Sequence, residues 1–412
     1  MKTPTSGRAG QLDPQFGHDG LLKVEIPSGD FTARAVLNAQ RAIHLVGVLS
    51  SEPSAATLLK LDAEGQLDTS FGTGGMVMHR MLDGYELKDL RSAIQTDGRI
   101  LVVALCTPVA GESGAAGVVV LRCLGDGRLD ASFGDGGVMV WREDWTTAST
   151  NAGVALQSDG GIVVAGWGSA AGTGVNVVLK LLIDGRFDPV FGQGGVVREM
   201  RGLTRFSDVV VNEEGLVLVG GYNDGVAAIF CYQANGEPDR AFSGDGIMHL
   251  PDLGSSTMHF NGIALQPDGA IVGAGFWGKT MTMETAGILT RVNAVGELDA
   301  EFNEGEVLLL PAPLDQCLDV LVDDAGRIVT LGRVKSDVRA IAVCRWLGDG
   351  TPDPSFGMQG TFIFHVPAAI EPPATALMQD VLAQWPDKVL VNTLRATSTD
   401  ARIGPVLARV LT

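Results

Sequence analysis

Apolar residues along this chain fall in short runs of about five, and a polar turn ending in glycine separates many of them. The stretch Gly262-Ile263-Ala264-Leu265-Gln266-Pro267-Asp268-Gly269-Ala270-Ile271-Val272 shows the form: one run, a tight turn, then a second run at once. Such a pattern predicts a β-hairpin, here termed strands A and B. Counterparts stand at 154–164, 209–219 and 320–329 and, less regularly, at 36–46, 93–103 and 381–391, which makes seven hairpins. After each come a variable loop and a third apolar stretch, strand C, at 57–61, 118–121, 177–181, 227–232, 288–292, 341–346 and 405–410.

Between strand C and a fourth strand, D, lies a recurring motif. Leu12-Asp13-Pro14-Gln15-Phe16-Gly17 returns as Leu67-Asp68-Thr69-Ser70-Phe71-Gly72 and as Leu129-Asp130-Ala131-Ser132-Phe133-Gly134, with further copies around Asp188, Asp239, Asp299 and Asp353. The seven copies occupy 11–20, 66–75, 128–137, 186–195, 237–246, 297–305 and 351–360. Their aspartates are 51 to 62 residues apart, a period that suits one four-stranded propeller blade. The motif Asp is expected to accept backbone N–H bonds in a turn, and the glycines to supply positive φ. The seven phenylalanines, Phe16, Phe71, Phe133, Phe191, Phe242, Phe302 and Phe356, are expected as apolar plugs between sheets.

The chain ends on a C strand, while a D strand (20–26) stands before the first A strand. Complementary ends of this kind predict a closed ring in which the N-terminal strand completes the C-terminal blade and leaves no edge at the seam. The expected fold is therefore all-β: a seven-bladed β-propeller as a single domain over 11–412, preceded by an N-terminal extension, 1–10.

Gly127-Arg128-Leu129-Asp130-Ala131-Ser132-Phe133-Gly134-Asp135-Gly136-Gly137 resembles the hallmark of the delta-60 repeat family of bacterial β-propellers, Gly-x-Leu-Asp-x-x-Phe-Gly-x-x-Gly. The resemblance runs over residues 11 to 412, although Phe187 and Pro238 replace Leu while Ser243 and Asn303 replace Gly. What it implies is a propeller fold. It brings no catalytic residues to carry over.

Composition narrows the partners. A formal charge of −18 weighs against nucleic acid and anionic membranes, which need clustered Lys and Arg, and no apolar run approaches bilayer length. The polar start, 1–11, lacks the apolar stretch of a secretory signal, so a cytoplasmic protein is expected. Cys106, Cys123, Cys231, Cys317 and Cys344 read as small buried thiols, because they are widely spaced, odd in number and mostly set in apolar runs.

Aligned A strands place Arg34, Arg91, Gly153, Asp208, Gly262, Asp319 and Asp380 in one column. If A is innermost, five charges ring one mouth of the central channel, with Arg34 and Asp380 adjacent across the closure. They are expected either to pair with one another or bind water, or to hold a polar ligand or metal at the axis. Loops joining D to A and B to C should share that face, and Trp145, Trp167, Tyr222 and Trp277 beside charged groups either give it the composition of a protein interface or each cap their own blade. The Asp-rich turns lack a calcium-loop pattern, and neither a metal nor a cofactor is expected. The sequence reads as a non-enzymatic interaction or ligand-binding scaffold with a protein partner. The alternative is a channel-mouth hydrolase or lactonase, in which His79, His249 or His365 would act with Asp208, Asp319 and Asp380, with or without a metal.

Overall fold

The computed structural model describes residues 8–24, 26, 29–110, 112–145, 147–148, 153–170, 173–202, 204–254, 256–279, 284–335, 337–366, 379–385, 387–396 and 403–412. Most of the expected N-terminal extension, residues 1–7, lies outside them. Seven antiparallel sheets, each in the order A-B-C-D, make up the described residues. Blade 1 comprises Phe31–Leu37, Ile43–Leu49, Glu52–Leu61 and Met76–Arg80; blade 2 comprises Tyr85–Ile94, Ile100–Pro108, Ala116–Cys123 and Val138–Trp145. In blade 3, Thr147–Ala148 and Gly153–Leu156 share the A position before Ile162–Ala170, Thr173–Leu181 and Val196–Glu199. Blade 4 is Thr204–Val211, Val217–Asn223, Val226–Tyr232 and Ile247–His249, and blade 5 is Ser256–Leu265, Ile271–Lys279, Glu284–Val292 and Leu308–Leu309. Blade 6 is Leu314–Val322, Ile328–Val334, Asp337–Trp346 and Thr361–His365. Blade 7 takes Gln379–Trp385, Lys388–Ala396 and Ile403–Leu411 from the C-terminus and its outer strand from the N-terminus.

Closure follows from pairing at the seam. Gln11 and Leu12 face Leu411 and Val410, and Leu21–Lys23 face Ala408 to Val406. Gly10 N–H also donates to the Leu411 carbonyl, just ahead of the strand that begins at Gln11. Each A strand meets the A strand of the next blade, around to blade 7 against blade 1, which makes A the innermost strand. The C strands begin earlier than their apolar runs suggest. Glu52, Pro53 and Ser54 open strand C of blade 1 because they extend past the buried core, where apolarity is no longer needed.

The motif supplies the packing between blades. All seven phenylalanines are buried, at 2% exposure or less, and each motif Asp accepts the N–H two residues on, as Asp130 does from Ser132 at 3.0 Å. The next N–H after the plug reaches the following blade: Gly134 donates to Asp184 O, Gly192 to Asn235 O and Ser243 to Val295 O. Ser243 (φ 52°) and Asn303 (φ 46°) keep the left-handed backbone of Gly134 (φ 52°), so these departures from the motif leave its turn intact.

A cation completes each unit in six blades. Lys60, Arg122, Lys180, Arg291, Arg345 and Arg409 of the C strands pair with Asp68, Asp130, Asp188, Asp299, Asp353 and Asp13. Arg122, Lys180, Arg345 and Arg409 also lie over their own motif phenyl ring, 4.6–5.7 Å from its centroid. Within the chain each cation sits eight residues before its aspartate, a spacing the motif reading overlooked; Arg409 reaches Asp13 across the seam.

Candidate functional site

The predicted column exists. Arg34, Arg91, Gly153, Asp208, Gly262, Asp319 and Asp380 pair with Val46, Val103, Ala165, Gly220, Ala274, Leu331 and Asn392 at equivalent points of the B strands. All five charged members line one cavity of about 380 Å³ on the axis.

β-Bulges aim them there. The A-strand register shifts between Lys88 and Arg91, Phe206 and Asp208, Phe260 and Gly262, and Cys317 and Asp319, just ahead of the column in four blades. An extra residue at a bulge lets neighbours face the same way, which strict alternation forbids. Ser207, Asn261 and Leu318 therefore join the cavity wall beside the column. Period-two reading could not place them.

Charge is divided unevenly around the ring. Arg34 is ion-paired with Asp380 across the seam and lies 3.7 Å from Asp89, which also holds Arg91 at 2.7 Å. Asp89, at φ 46° in the blade 2 bulge, was absent from the sequence-derived column. Burial opposes the Arg34 charge, but Asp380 and then Asp89 more than offset it and raise its pKa. Both arginines are thus neutralised by carboxylates of the same cavity region.

Asp208 and Asp319 have only backbone donors among the described residues. Asp208 accepts from Val209 N–H at 2.9 Å and from Ile263 N–H of blade 5 at 3.0 Å. Asp319 accepts from Val320 N–H at 2.9 Å and from Val381 N–H of blade 7 at 2.8 Å. Each carboxylate ties its blade to the next, and Gly153 leaves room for this crowding: a Cβ there would stand 2.8 Å from Val209 N. Burial raises the pKa of Asp208 against those two N–H bonds. Burial, then Asp380 and, more weakly, Asp208, carry Asp319 up to about 7.

Other expected site residues are dispersed. Trp145 is 1% exposed and packs edge-on against Trp141, so it belongs to the core and offers no face to a partner. Trp167, Tyr222 and Trp277 are half-buried at the end of the blades where B joins C. Arg205 joins the first two: its guanidinium lies over Trp167 at 5.6 Å and its residue pairs with Tyr222 across strands. The histidines of the hydrolase alternative sit on outer D strands. His79 contacts Gly127 O, His249 Asn223 and His365 Asp337, and none lines the axial cavity. All five cysteines are buried and free. Among the described residues no cluster of three or more His, Cys, Asp or Glu side chains is placed to hold a metal, and no helix is long and apolar enough to cross a membrane.

Residues 157–191, which run from the A–B turn of blade 3 into its motif, match the family model described as a domain of unknown function (DUF5122) beta-propeller. The chain has the β-propeller fold of that description. No curated protein matches it by sequence. Among solved structures, the polysaccharide lyase Uly1 is similar over 100% of this chain and 94% of its own, at 11% identity and a TM-score of 0.52. A protein of unknown function from Dyadobacter fermentans matches 80% of this chain and 96% of its own, at 12% identity and a TM-score of 0.47. Prolyl oligopeptidase B from Galerina marginata matches 89% of this chain with 46% of its own, at 8% identity and a TM-score of 0.47. Identities this low speak for the fold alone.

Proposed function

We propose that this protein is a non-enzymatic binding propeller that receives a positively charged group of its ligand in the axial cavity, within the loop-rich face. One observation carries the reading: Arg34 and Arg91 are ion-paired with Asp380 and Asp89, while Asp208 and Asp319 face the same space without a direct ion pair among the described residues and feel these arginines only at longer range. A ligand ammonium or guanidinium group would compensate them. Half-buried Trp167, Tyr222 and Trp277 give the surrounding face amphipathic area of the kind partner proteins use. Recurrence of the Asp-x-x-Phe-Gly unit supports the narrower delta-60 assignment and, with it, a bacterial origin. Five buried free thiols suit a reducing, cytoplasmic compartment.

The hydrolase alternative rests on Asp319, whose pKa of about 7 suits a general acid or base. Against it, both oxygens of that carboxylate already accept backbone N–H bonds. The test is titration calorimetry with small amines and guanidines, alongside ester and lactone turnover, on wild type, Asp208→Asn and Asp319→Asn. The binding reading expects an amine or guanidine that binds wild type and loses about tenfold or more in affinity in Asp319→Asn. Turnover that disappears in Asp319→Asn would overturn it in favour of the enzyme.

A further inference from the structure

Blade 4 breaks the cation rule. Where the other C strands carry Lys or Arg, it carries Cys231, whose sulfur stands 4.0 Å from the motif carboxylate of Asp239. Burial first, and Asp239 second, push this thiol up to about 12, so the position holds a small neutral group. Phe242 keeps its buried place beneath it, with no cation over its ring among the described residues.

The missing side chain leaves space. A cleft of about 680 Å³ opens here on the face of the A–B and C–D turns, opposite the loop-rich face, and both Cys231 and Phe242 line it. Ala294 lines it too. This residue holds the turn position whose carbonyl, in other blades, accepts from the cation of the preceding blade: Arg122 donates to Ile183 O, Lys180 to Ala234 O and Arg409 to Ala63 O. The wall also carries Glu213, Glu214 and Asp324, which have no ion-pair partner among the described residues. All three are exposed. Phe242 and the turn residue Ala294 thus line the cleft as their counterparts surround the internal cations, and the Asp239 carboxylate, which accepts from the Gln233 amide, stands behind Cys231 with the cation left out.

We propose that this cleft docks a partner polypeptide, which inserts an arginine or lysine side chain over Phe242 toward Asp239, in the place of the cation that blade 4 lacks. Charge complementarity selects the occupant: acidic walls around an apolar ring suit a guanidinium or ammonium on an aliphatic stem. The site is separate from the axial cavity.

Anisotropy titration of the full chain with a labelled Gly/Ser peptide bearing one central arginine, and with its citrulline counterpart, tests this. The arginine peptide should bind wild type, with citrulline weaker by about tenfold. Cys231→Arg, which fills the cleft from within, should lose about tenfold or more, and Glu213→Gln/Glu214→Gln about threefold. Asp319→Asn should bind as wild type does, which separates this result from the axial reading. General attraction to an acidic protein would survive Cys231→Arg almost unchanged, and that outcome overturns the proposal. Should Cys231→Arg not fold, unchanged affinity in the exposed double variant overturns it instead. Equal binding of N-acetylarginine amide and the peptide would mark a small-molecule site and overturn the polypeptide occupant.

Discussion

Phe133 is fully buried beside Gly185 of the next blade, with Arg122 over its ring. Its truncation to Ala should cost about 3–5 kcal/mol, read from the urea midpoint at an unchanged slope. A loss below about 1 kcal/mol would contradict the plug role. The motif Asp and Phe could be found in the sequence because the same residue type returns once per blade. Their cation could not be found so easily: Lys and Arg alternate there, Cys interrupts them, and the chain break at the seam separates Arg409 from Asp13. Asp319 contributes in the opposite sense to most buried carboxylates. Its folded pKa of about 7 lies above the ordinary 3.8, so its stabilising contribution is full below about pH 4 and is lost as pH rises through 7. Relative to wild type, Asp319→Asn should therefore be more destabilising at pH 5 than at pH 8, by on the order of 2 kcal/mol. Paired denaturation curves at the two pH values measure this, and a constant difference would show that the carboxylate titrates normally.

At the level of the element, the outer turns and the inner strands differ in how openly their pattern is written. The central parts of the B and C strands are apolar runs buried on both faces, so those parts follow from hydropathy, while the polar starts of the C strands do not. In blades 2, 4, 5 and 6 the A strand carries a bulge just ahead of the column, and the extra residue shifts the alternation that a sequence reading relies on. The column was still visible because the A–B turn fixes the register downstream of every bulge. Asp89, Ser207 and Asn261 lie within or before the bulges and were missed for that reason. In the C–D unit of blade 6, Arg345 is 2% exposed and is held by Asp353 at 2.7 Å and by Ser355. Asp353→Ala would leave that guanidinium buried without its counter-charge, at a cost of about 3–5 kcal/mol. Thermal unfolding of the single variant, compared with Asp353→Ala/Arg345→Met, separates the lost pair from the stranded charge: the double variant should recover part of the loss.

Across the whole molecule, the ring is closed by residues 10–12 and 21–24 bonding to 405–411. Deletion of residues 1–28 should lower the melting temperature sharply, because it strips the outer strand from blade 7 and exposes a sheet edge. A truncated chain that melts with wild type would place the stabilising contacts elsewhere. Apart from the seam, each blade bonds to neighbours supplied within about two repeats of sequence. Gln11 instead waits for Leu411, which six intervening blades separate from it in sequence. During synthesis the strand at residues 11–12 therefore stays unpaired until residues 410–411 have left the ribosome, and the ring locks after blades 1 to 6 have been made. A chain whose blade 7 has formed without its outer strand presents Ile403–Leu411 as an open edge, and the N-terminal strand of a second copy can occupy it. Joining the present ends and opening the chain between two other blades would relocate that vulnerability without altering the finished ring.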